Sequence, residues 1–166
     1  MKEINYQLRP ATEADYQYCY DLLKQNMFEL FSRHWGCWKP DAFRQDFCAA
    51  NTTMVTMEGR DIGYVSLKTT DAGLYLENIQ LSPSAQGQGI GTVVLKNILQ
   101  NHASESVELT TFTDNPAMHL YERLGFGVIG REGETIRMLK PVERFRNSRN
   151  YVVTPKFRTV PRESTL

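Results

Sequence analysis

The chain has 166 residues, which fits one domain, and 41% of them are apolar, so a buried core is expected. Its nineteen basic and nineteen acidic side chains cancel, which argues against nucleic acid or an anionic membrane as a partner. Three cysteines without a C-x-x-C pair and no apolar run near ~20 residues predict a soluble cytoplasmic protein without a disulfide framework, metal site or membrane segment.

The first fifty residues predict a strand and two helices. Alternation of Ile4, Tyr6 and Leu8 indicates the strand, which Pro10 stops. The run from Thr12 to Asp15 is a capping box that opens the first helix. Apolar residues then recur near a period of 3.6 at Tyr16, Cys19, Tyr20, Leu23, Met27, Leu30 and Phe31. A second helix fits residues 40–49, with Pro40 at its start and Phe43 and Phe47 on one face.

The middle of the chain predicts three strands. Residues 52–58 and 62–69 are typical of a hairpin around Gly59-Arg60-Asp61. In the next strand, 74–81, Leu74 and Leu76 share one parity and Ile79 and Leu81 the other. A β-bulge at Glu77-Asn78 would return these residues to one face, and a strand buried on both faces would need no bulge. The pattern alone leaves both interpretations open.

The loop after this strand is Gln86-Gly87-Gln88-Gly89-Ile90-Gly91-Thr92, directly before a helix-like run at residues 90–99. Its glycines lack Cβ atoms and allow positive φ, so successive N–H groups can converge on one point. A helix N-terminus adds unpaired N–H groups and partial positive charge, which predicts an anion site, most plausibly for a pyrophosphate. The loop fits neither the dinucleotide fingerprint nor the P-loop, and a tight turn without a ligand is the plain alternative.

The remaining chain predicts a strand at 107–112, a helix capped by Asn115 and ended by Gly125, and strands at 127–131 and 135–140. This order predicts an α+β fold, in which a central mixed sheet of about seven strands carries helices on both faces. Residues 1–140 would form that domain and residues 141–166 a basic extension. Within the extension, Tyr151-Val152-Val153 could add an edge strand to this molecule or to a partner, and a homodimer is a hypothesis.

Two motifs give the chain a family resemblance. The loop Gln86-x-x-Gly89-x-Gly91 and the run from Asn115 to Phe126, which contains Leu-Tyr-Glu-Arg-Leu-Gly-Phe, resemble those of the GCN5-related N-acetyltransferase (GNAT) superfamily, in register with the strand 74–81 and its possible bulge. The resemblance covers about residues 3–140. It implies a GNAT-type acyl-CoA N-acyltransferase fold and transfer of an acetyl group from acetyl-CoA to a primary amine of a small molecule or peptide.

The resemblance also implies a donor site. Backbone amides of Gln86, Gly87, Gln88, Gly89, Ile90, Gly91 and Thr92 would hold the CoA pyrophosphate. Ile79 and Leu81 would pair with the pantetheine arm, and the bulge would splay their strand from the strand at 107–112 to open a slot for the thioester. Asn115 would contact the CoA arm from the next helix.

Two side chains are candidates for the chemistry. Glu77, at the bulge, is the candidate base that deprotonates the amine directly or through water, and a solvated or ion-paired strand residue is its alternative role. Tyr121 is the candidate acid, or hydrogen-bond donor, for the departing thiolate, and a core aromatic is its alternative role. An N–H group near Leu81 could stabilise the oxyanion.

The acceptor is the least defined partner. In this fold the segment between the first two helices commonly shapes its pocket, which makes Glu29, His34, Trp35 and Trp38 candidates. The two tryptophans could equally be packing residues that seat the second helix. A CoA-binding regulatory module without turnover is the alternative to an enzyme, and a basic tail that binds RNA or protein is a further hypothesis.

Overall fold

The computed structural model describes residues 4–143. Seven strands form one mixed sheet: β1 (Gln7–Pro10), β2 (Thr52–Met57), β3 (Arg60–Thr70), β4 (Gly73–Leu81), β5 (Val107–Phe112), β6 (Gly127–Glu132) and β7 (Thr135–Lys140). Four helices flank it: α1 (Tyr16–Trp35), α2 (Pro40–Asp46), α3 (Ile90–Asn101) and α4 (Met118–Arg123). The predicted α+β fold with about seven strands is confirmed.

The sheet divides at its only described parallel pair. The strand order is β1-β2-β3-β4-β5-β7-β6, and β4 and β5 are parallel whereas all other neighbours are antiparallel. They pair only at Leu74 with Val107 and Tyr75 with Glu108. Since β5 pairs with β7 along its whole length, β4 is the strand that loses its neighbour beyond Tyr75. We call the resulting gap, between β4 residues 76–81 and β5 residues 109–112, the slot.

A β-bulge lies in β4 where the apolar pattern changes phase. Ser66 of β3 pairs with Asn78 and Leu67 pairs with Leu76, so Glu77 has no partner. Leu74 and Leu76, before the bulge, and the two apolar residues after it all contact the same hydrophobic cluster. The bulge interpretation is therefore confirmed, and a regular strand buried on both faces is wrong.

Two hydrophobic clusters lie on opposite faces of the sheet. One packs α3 and α4 against it through residues such as Val94, Leu95 and Tyr121. The other packs α1 and α2 through Cys19, Leu22, Leu23 and Phe43. Neighbouring strand residues alternate between the clusters, as Met54 and Val55 do in β2, because successive side chains point to opposite faces.

The capping box predicted at Thr12 lies at a 3₁₀ turn, Glu13–Asp15, that leads into α1, but several boundaries differ from the sequence expectation: β1 begins at Gln7 rather than Ile4 and includes Pro10. Thr12 donates its N–H to Asp15 Oδ2 at 2.8 Å, which confirms the capping box. α2 ends at Asp46 rather than residue 49, because Phe47 is extended. The β2–β3 turn is Glu58-Gly59, both at positive φ, rather than Gly59-Arg60-Asp61. α4 begins at Met118, since residues 115–117 form a turn.

The division of the chain at residue 140 stays a prediction. Residues 141–143 follow β7, and the possible strand Tyr151-Val152-Val153 lies outside the described residues. Within residues 4–143, no helix is long and apolar enough to cross a membrane. The same residues contain no group of three or more His, Cys, Asp or Glu side chains suited to a metal ion.

Candidate functional site

A cavity of about 920 Å³ brings most of the predicted site residues together. Strands β4 and β5, helices α1, α2 and α4, and the glycine loop all contribute to its wall. The predicted residues that line it are Trp35, Trp38, Glu77, Ile79, Leu81, Gln86, Gly87, Gly89, Gly91, Thr92, Asn115 and Tyr121. The cavity therefore joins the glycine loop, the slot and the segment after α1 in one space.

The glycine loop has the geometry of an anion cradle. Gly87 and Gly89 have φ of 72° and 79°, and a Cβ atom at either position would project into open space. Gly89 is the N-cap of α3, and Gly91 lies within the first turn, where a Cβ would meet Leu81 Cδ1 at 3.4 Å. Among the described residues, none accepts a hydrogen bond from the N–H groups of residues 87–92. Unpaired N–H groups at a helix start suit the phosphates of a nucleotide.

The open edge of β4 presents backbone groups to the slot. Ser82 donates its N–H to Ile62 O in β3, so by the alternation of antiparallel pairing Ile79 and Leu81 direct their backbone groups away from β3. Beyond Tyr75 no β5 residue pairs with β4. The backbone of Ile79 and the N–H of Leu81 are thus placed to pair with an extended ligand.

The carbonyl of Leu81 is already used, by a side chain that sequence reasoning missed. Asn26 of α1 donates to Leu81 O at 2.9 Å and to Gln80 Oε1 at 3.1 Å, and Gln86 Nε2 donates to the same carbonyl at 2.9 Å. Gln86 also donates to Asn26 Oδ1 at 3.3 Å. This network ties α1 to the end of β4 and to the glycine loop. A polar residue between Leu23 and Leu30 on the apolar stripe of α1 is the signal that could have found it.

Glu77 lines the cavity from the bulge. The side chain is half-buried, and this burial raises the pKa of its carboxyl above the usual value. The positive charge of Lys68 opposes this rise, and the negative charge of Asp46 adds to it. A carboxylate with a raised pKa binds a proton more readily, as a base at neutral pH requires.

Tyr121 lines the cavity from α4. Its ring packs edge-on against Phe126, with centroids 5.9 Å apart, and burial raises the pKa of the hydroxyl to about 12. The hydroxyl of Tyr121 has no hydrogen-bond partner in the described structure, yet it is not among the enclosed, unpartnered hydroxyls, which are those of Tyr18 and Tyr64. It therefore reaches open space as a protonated donor.

Two further side chains flank the glycine loop and the slot. Asn115 donates to Thr111 Oγ1 and accepts from the Ala117 N–H, both at 2.9 Å, which holds the turn before α4 in place. Arg123 Nη2 lies 3.4 Å from Thr92 Oγ1 and lines the cavity beside the first turn of α3. Its charge makes this end of the cavity positive, which favours phosphate.

Four predicted site residues do not line this cavity. Glu29 is exposed on α1, and Ile90 is buried in the core. The Gln88 side chain donates to Ser84 O on the far side of the loop. His34 stacks on Phe112 with centroids 4.4 Å apart, and its ring nitrogens face the carboxylates of Asp114 and Glu134.

The split sheet and the glycine loop define the fold class of the acyl-CoA N-acyltransferases. The family model described as "Acetyltransferase (GNAT) family" matches residues 16–126, which is more than half of the chain. The chain therefore belongs to the GNAT acetyltransferase family. Membership implies an acyl-CoA N-acyltransferase. Among curated proteins, no sequence matches significantly.

Solved structures show the same fold at low sequence identity. The ribosomal-protein-S18-alanine N-acetyltransferase from Escherichia coli is 18% identical with a TM-score of 0.66, over 85% of this chain and 96% of that one. The PaiA N-acetyltransferase from Thermoplasma acidophilum, in complex with coenzyme A, is 15% identical with a TM-score of 0.65, over 82% and 98%. A GNAT acetyltransferase from Streptococcus agalactiae is 15% identical with a TM-score of 0.67, over 84% and 96%.

Proposed function

We propose that the protein transfers an acetyl group from acetyl-CoA to a primary amine of a small molecule or peptide, by direct attack in a ternary complex. The observation that carries this proposal is the continuous cavity from the glycine loop, along the open edge of β4, to Glu77 and Tyr121. Such a cavity can hold both substrates with the thioester between them, so that positioning supplies much of the acceleration.

Each residue has a role in this proposal. The N–H groups of residues 87–92 hold the pyrophosphate, and Arg123 adds positive charge. The backbone of Ile79 and the N–H of Leu81 pair with the pantetheine arm, while the carbonyl of Leu81 stays bonded to Asn26 and Gln86. Asn115 acts mainly by fixing the turn beside the arm, because both ends of its amide already have partners.

The chemical step needs one base and one acid. Glu77 accepts the proton of the ammonium, directly or through a water, and the neutral nitrogen attacks the thioester carbonyl. A backbone N–H near Leu81 stabilises the oxyanion that forms. As the carbon–sulfur bond breaks, the attacking nitrogen loses its second proton to solvent, and Tyr121 donates a hydrogen bond or its proton to the departing thiolate; where Tyr121 gives up its proton, the phenolate takes one back from water. The products are the acetylated amine and CoA.

The competing function is a CoA-binding regulatory module without turnover. Calorimetry with acetyl-CoA, combined with a thiol-release assay on a broad panel of primary amines, separates the two. We expect binding and amine-dependent release of CoA. Binding without release on any amine would favour the module, and absence of binding would remove both functions. The sequence-based hypotheses of a cytoplasmic location and a homodimer stand beside this proposal.

A further inference from the structure

An exposed indole lies at the end of the cavity away from the glycine loop. Trp35, the last residue of α1, is 55% exposed although it lines the cavity. Its ring stacks on Phe31, with centroids 4.7 Å apart and planes at 11°, and meets the edge of Phe112 at 5.1 Å. The part of the chain that the structure describes offers no hydrogen-bond acceptor to its ring nitrogen. The indole is therefore available to a ligand.

The other tryptophan has a different role. Trp38 donates to Tyr20 Oη at 3.0 Å and is partly buried in the cluster between α1 and α2. Its ring packs against Tyr20 and Phe31 at 5.9 and 5.5 Å. These contacts hold the segment before α2 against α1. We call the rings of Phe31, Trp35 and Phe112 the aromatic wall: Trp38 supports this wall by packing against Phe31, and Trp35 is its exposed ring.

The charges near this wall suit one cation. Three charged residues of the described cavity lining lie away from the glycine loop: Lys39, Asp46 and Glu77. Two carboxylates against one ammonium give this part of the lining a net charge of one negative, while Lys68, which opposes the rise in the pKa of Glu77, is exposed on β3 outside the lining. Because Arg123 is beside Thr92 at the other end, it does not alter this balance. A ligand with one ammonium group would balance this negative charge, whereas a polyamine would bring two or more positive charges to the same space.

The spacing between the wall and Glu77 is short. The parallel pairing of Leu74 with Val107 and Tyr75 with Glu108, counted along the strands past the extra residue at the bulge, sets Gln80 level with Phe112. Glu77 is three residues before Gln80, but since Glu77 is itself the extra residue of the bulge, the offset along the strand is about two residues, roughly 7 Å. An amine nitrogen beside Glu77 thus places a group that is only a few bonds away against Phe112 and Trp35.

We propose that the acceptor is a primary amine joined to an aromatic ring by a short uncharged spacer, with the ring against Trp35 and Phe112 and the nitrogen at Glu77. This inference rests on the proposed acetyl transfer, because it assigns the acceptor of that reaction. Trp35 is then a specificity-determining residue, since it contributes ring stacking rather than chemistry.

Three amines and three variants test this assignment. Phenethylamine, butylamine and spermidine are compared for CoA release and for binding to the CoA-loaded protein by calorimetry. Trp35→Ala removes the exposed indole, and Trp35→Phe keeps an aromatic face. Phe28→Ala is the matched control, because Phe28 is 46% exposed on the same helix but does not line the cavity. Phenethylamine should exceed both other amines in kcat/KM by about tenfold or more, the scale of one aromatic contact with its burial.

The variants decide whether a preference for phenethylamine depends on Trp35. Trp35→Ala should lose most of the preference for phenethylamine over butylamine, Trp35→Phe should keep it, and Phe28→Ala should match the wild-type protein. Equal use of phenethylamine and butylamine, a preference for spermidine, or equal effects of Trp35→Ala and Phe28→Ala would overturn the inference. If no amine is turned over, the proposed function fails, and phenethylamine binding that depends on Trp35 still decides whether the aromatic site exists.

Discussion

At the scale of single residues, burial raises the pKa of two side chains that line the cavity, Glu77 and Tyr121. Glu77 and Tyr121 lie on different elements, β4 and α4, and both line the same space. Removal from water raises the pKa of each, because it disfavours the charged form of an acid. The consequence differs between them: the carboxylate becomes a better base, and the phenol stays protonated as a donor.

Replacement of Tyr121 by Phe should lower kcat about tenfold or more, the usual scale of an acid–base group. Since the pKa of Tyr121 is raised to about 12, the hydroxyl is protonated at neutral pH and donates throughout that range. The ring should keep its contact with Phe126, so the affinity for acetyl-CoA measured by calorimetry should not change. An unchanged kcat across the pH range would exclude Tyr121 from the mechanism.

Replacement of Glu77 by Gln should lower kcat/KM by about a hundredfold. It should also abolish the acidic limb of the pH profile, which is the fall in kcat/KM at low pH. The base acts when deprotonated, so the rate falls as pH drops through the pKa of Glu77, which burial raises above its usual value. A pH profile of kcat/KM measures this limb. Asp46→Asn provides a second check, because loss of the neighbouring negative charge should move the limb to lower pH. A limb that persists in Glu77→Gln would assign the base elsewhere.

At the scale of elements, the proposed donor site joins the glycine loop to the open edge of β4, because α3 begins close to the end of β4. Only a short turn, Pro83–Ala85, separates β4 from the loop. Asn26 and Gln86 fasten this junction to α1 through the carbonyl of Leu81. The orientation of the loop is thereby fixed relative to both halves of the cavity.

Gly89→Ala and Gly133→Ala form a matched pair that tests the loop. Both glycines have positive φ, 79° and 57°, and a Cβ at either meets no atom within 4 Å. Each variant should therefore lose about 1 kcal/mol of stability, read from thermal unfolding, from the left-handed backbone alone. Gly89→Ala should in addition weaken CoA binding by calorimetry, because its Cβ would occupy the pyrophosphate position, while Gly133→Ala should not. Equal CoA affinity in both variants would place the pyrophosphate elsewhere.

At the scale of the whole molecule, residues 4–143 hold two hydrophobic clusters and the cavity between the two halves of the sheet. The described part of the chain ends at Glu143, whose N–H donates to Ala103 O at 3.0 Å and whose carboxylate pairs with Lys140.

Deletion of residues 144–166 should therefore leave acetyl transfer to a small amine intact. The sheet, the cavity and the last contacts at Glu143 all remain, so the unfolding temperature should change little. Steady-state kinetics and thermal unfolding of the truncated chain measure both quantities. Loss of amine turnover with unchanged acetyl-CoA binding would instead assign the basic extension to acceptor recognition.

Local patterns were enough to predict the elements and the glycine loop, and they suggested the bulge as one of two interpretations, between which the structure decided. Capping at Thr12, the glycines and the phase change between Leu76 and Ile79 depend on residues close in sequence, so they can be interpreted without a fold. The predicted ends of the elements were less accurate, as at Phe47 and Met118. The backbone leaves the helix there in turns that many sequences can form, so the sequence does not mark the exact residue.

The sequence by itself thus determined the family, the order of elements and the position of the glycine loop, because these depend on local periodicity and on motifs with fixed spacing. Only the tertiary structure decided which distant residues meet. It brought Asn26 to Leu81, set Trp35 against Phe112, and separated His34 and Glu29 from the cavity. Such contacts depend on how the helices pack on the two faces of the sheet. The packing of the two hydrophobic clusters determines this arrangement, and no local sequence pattern specifies it.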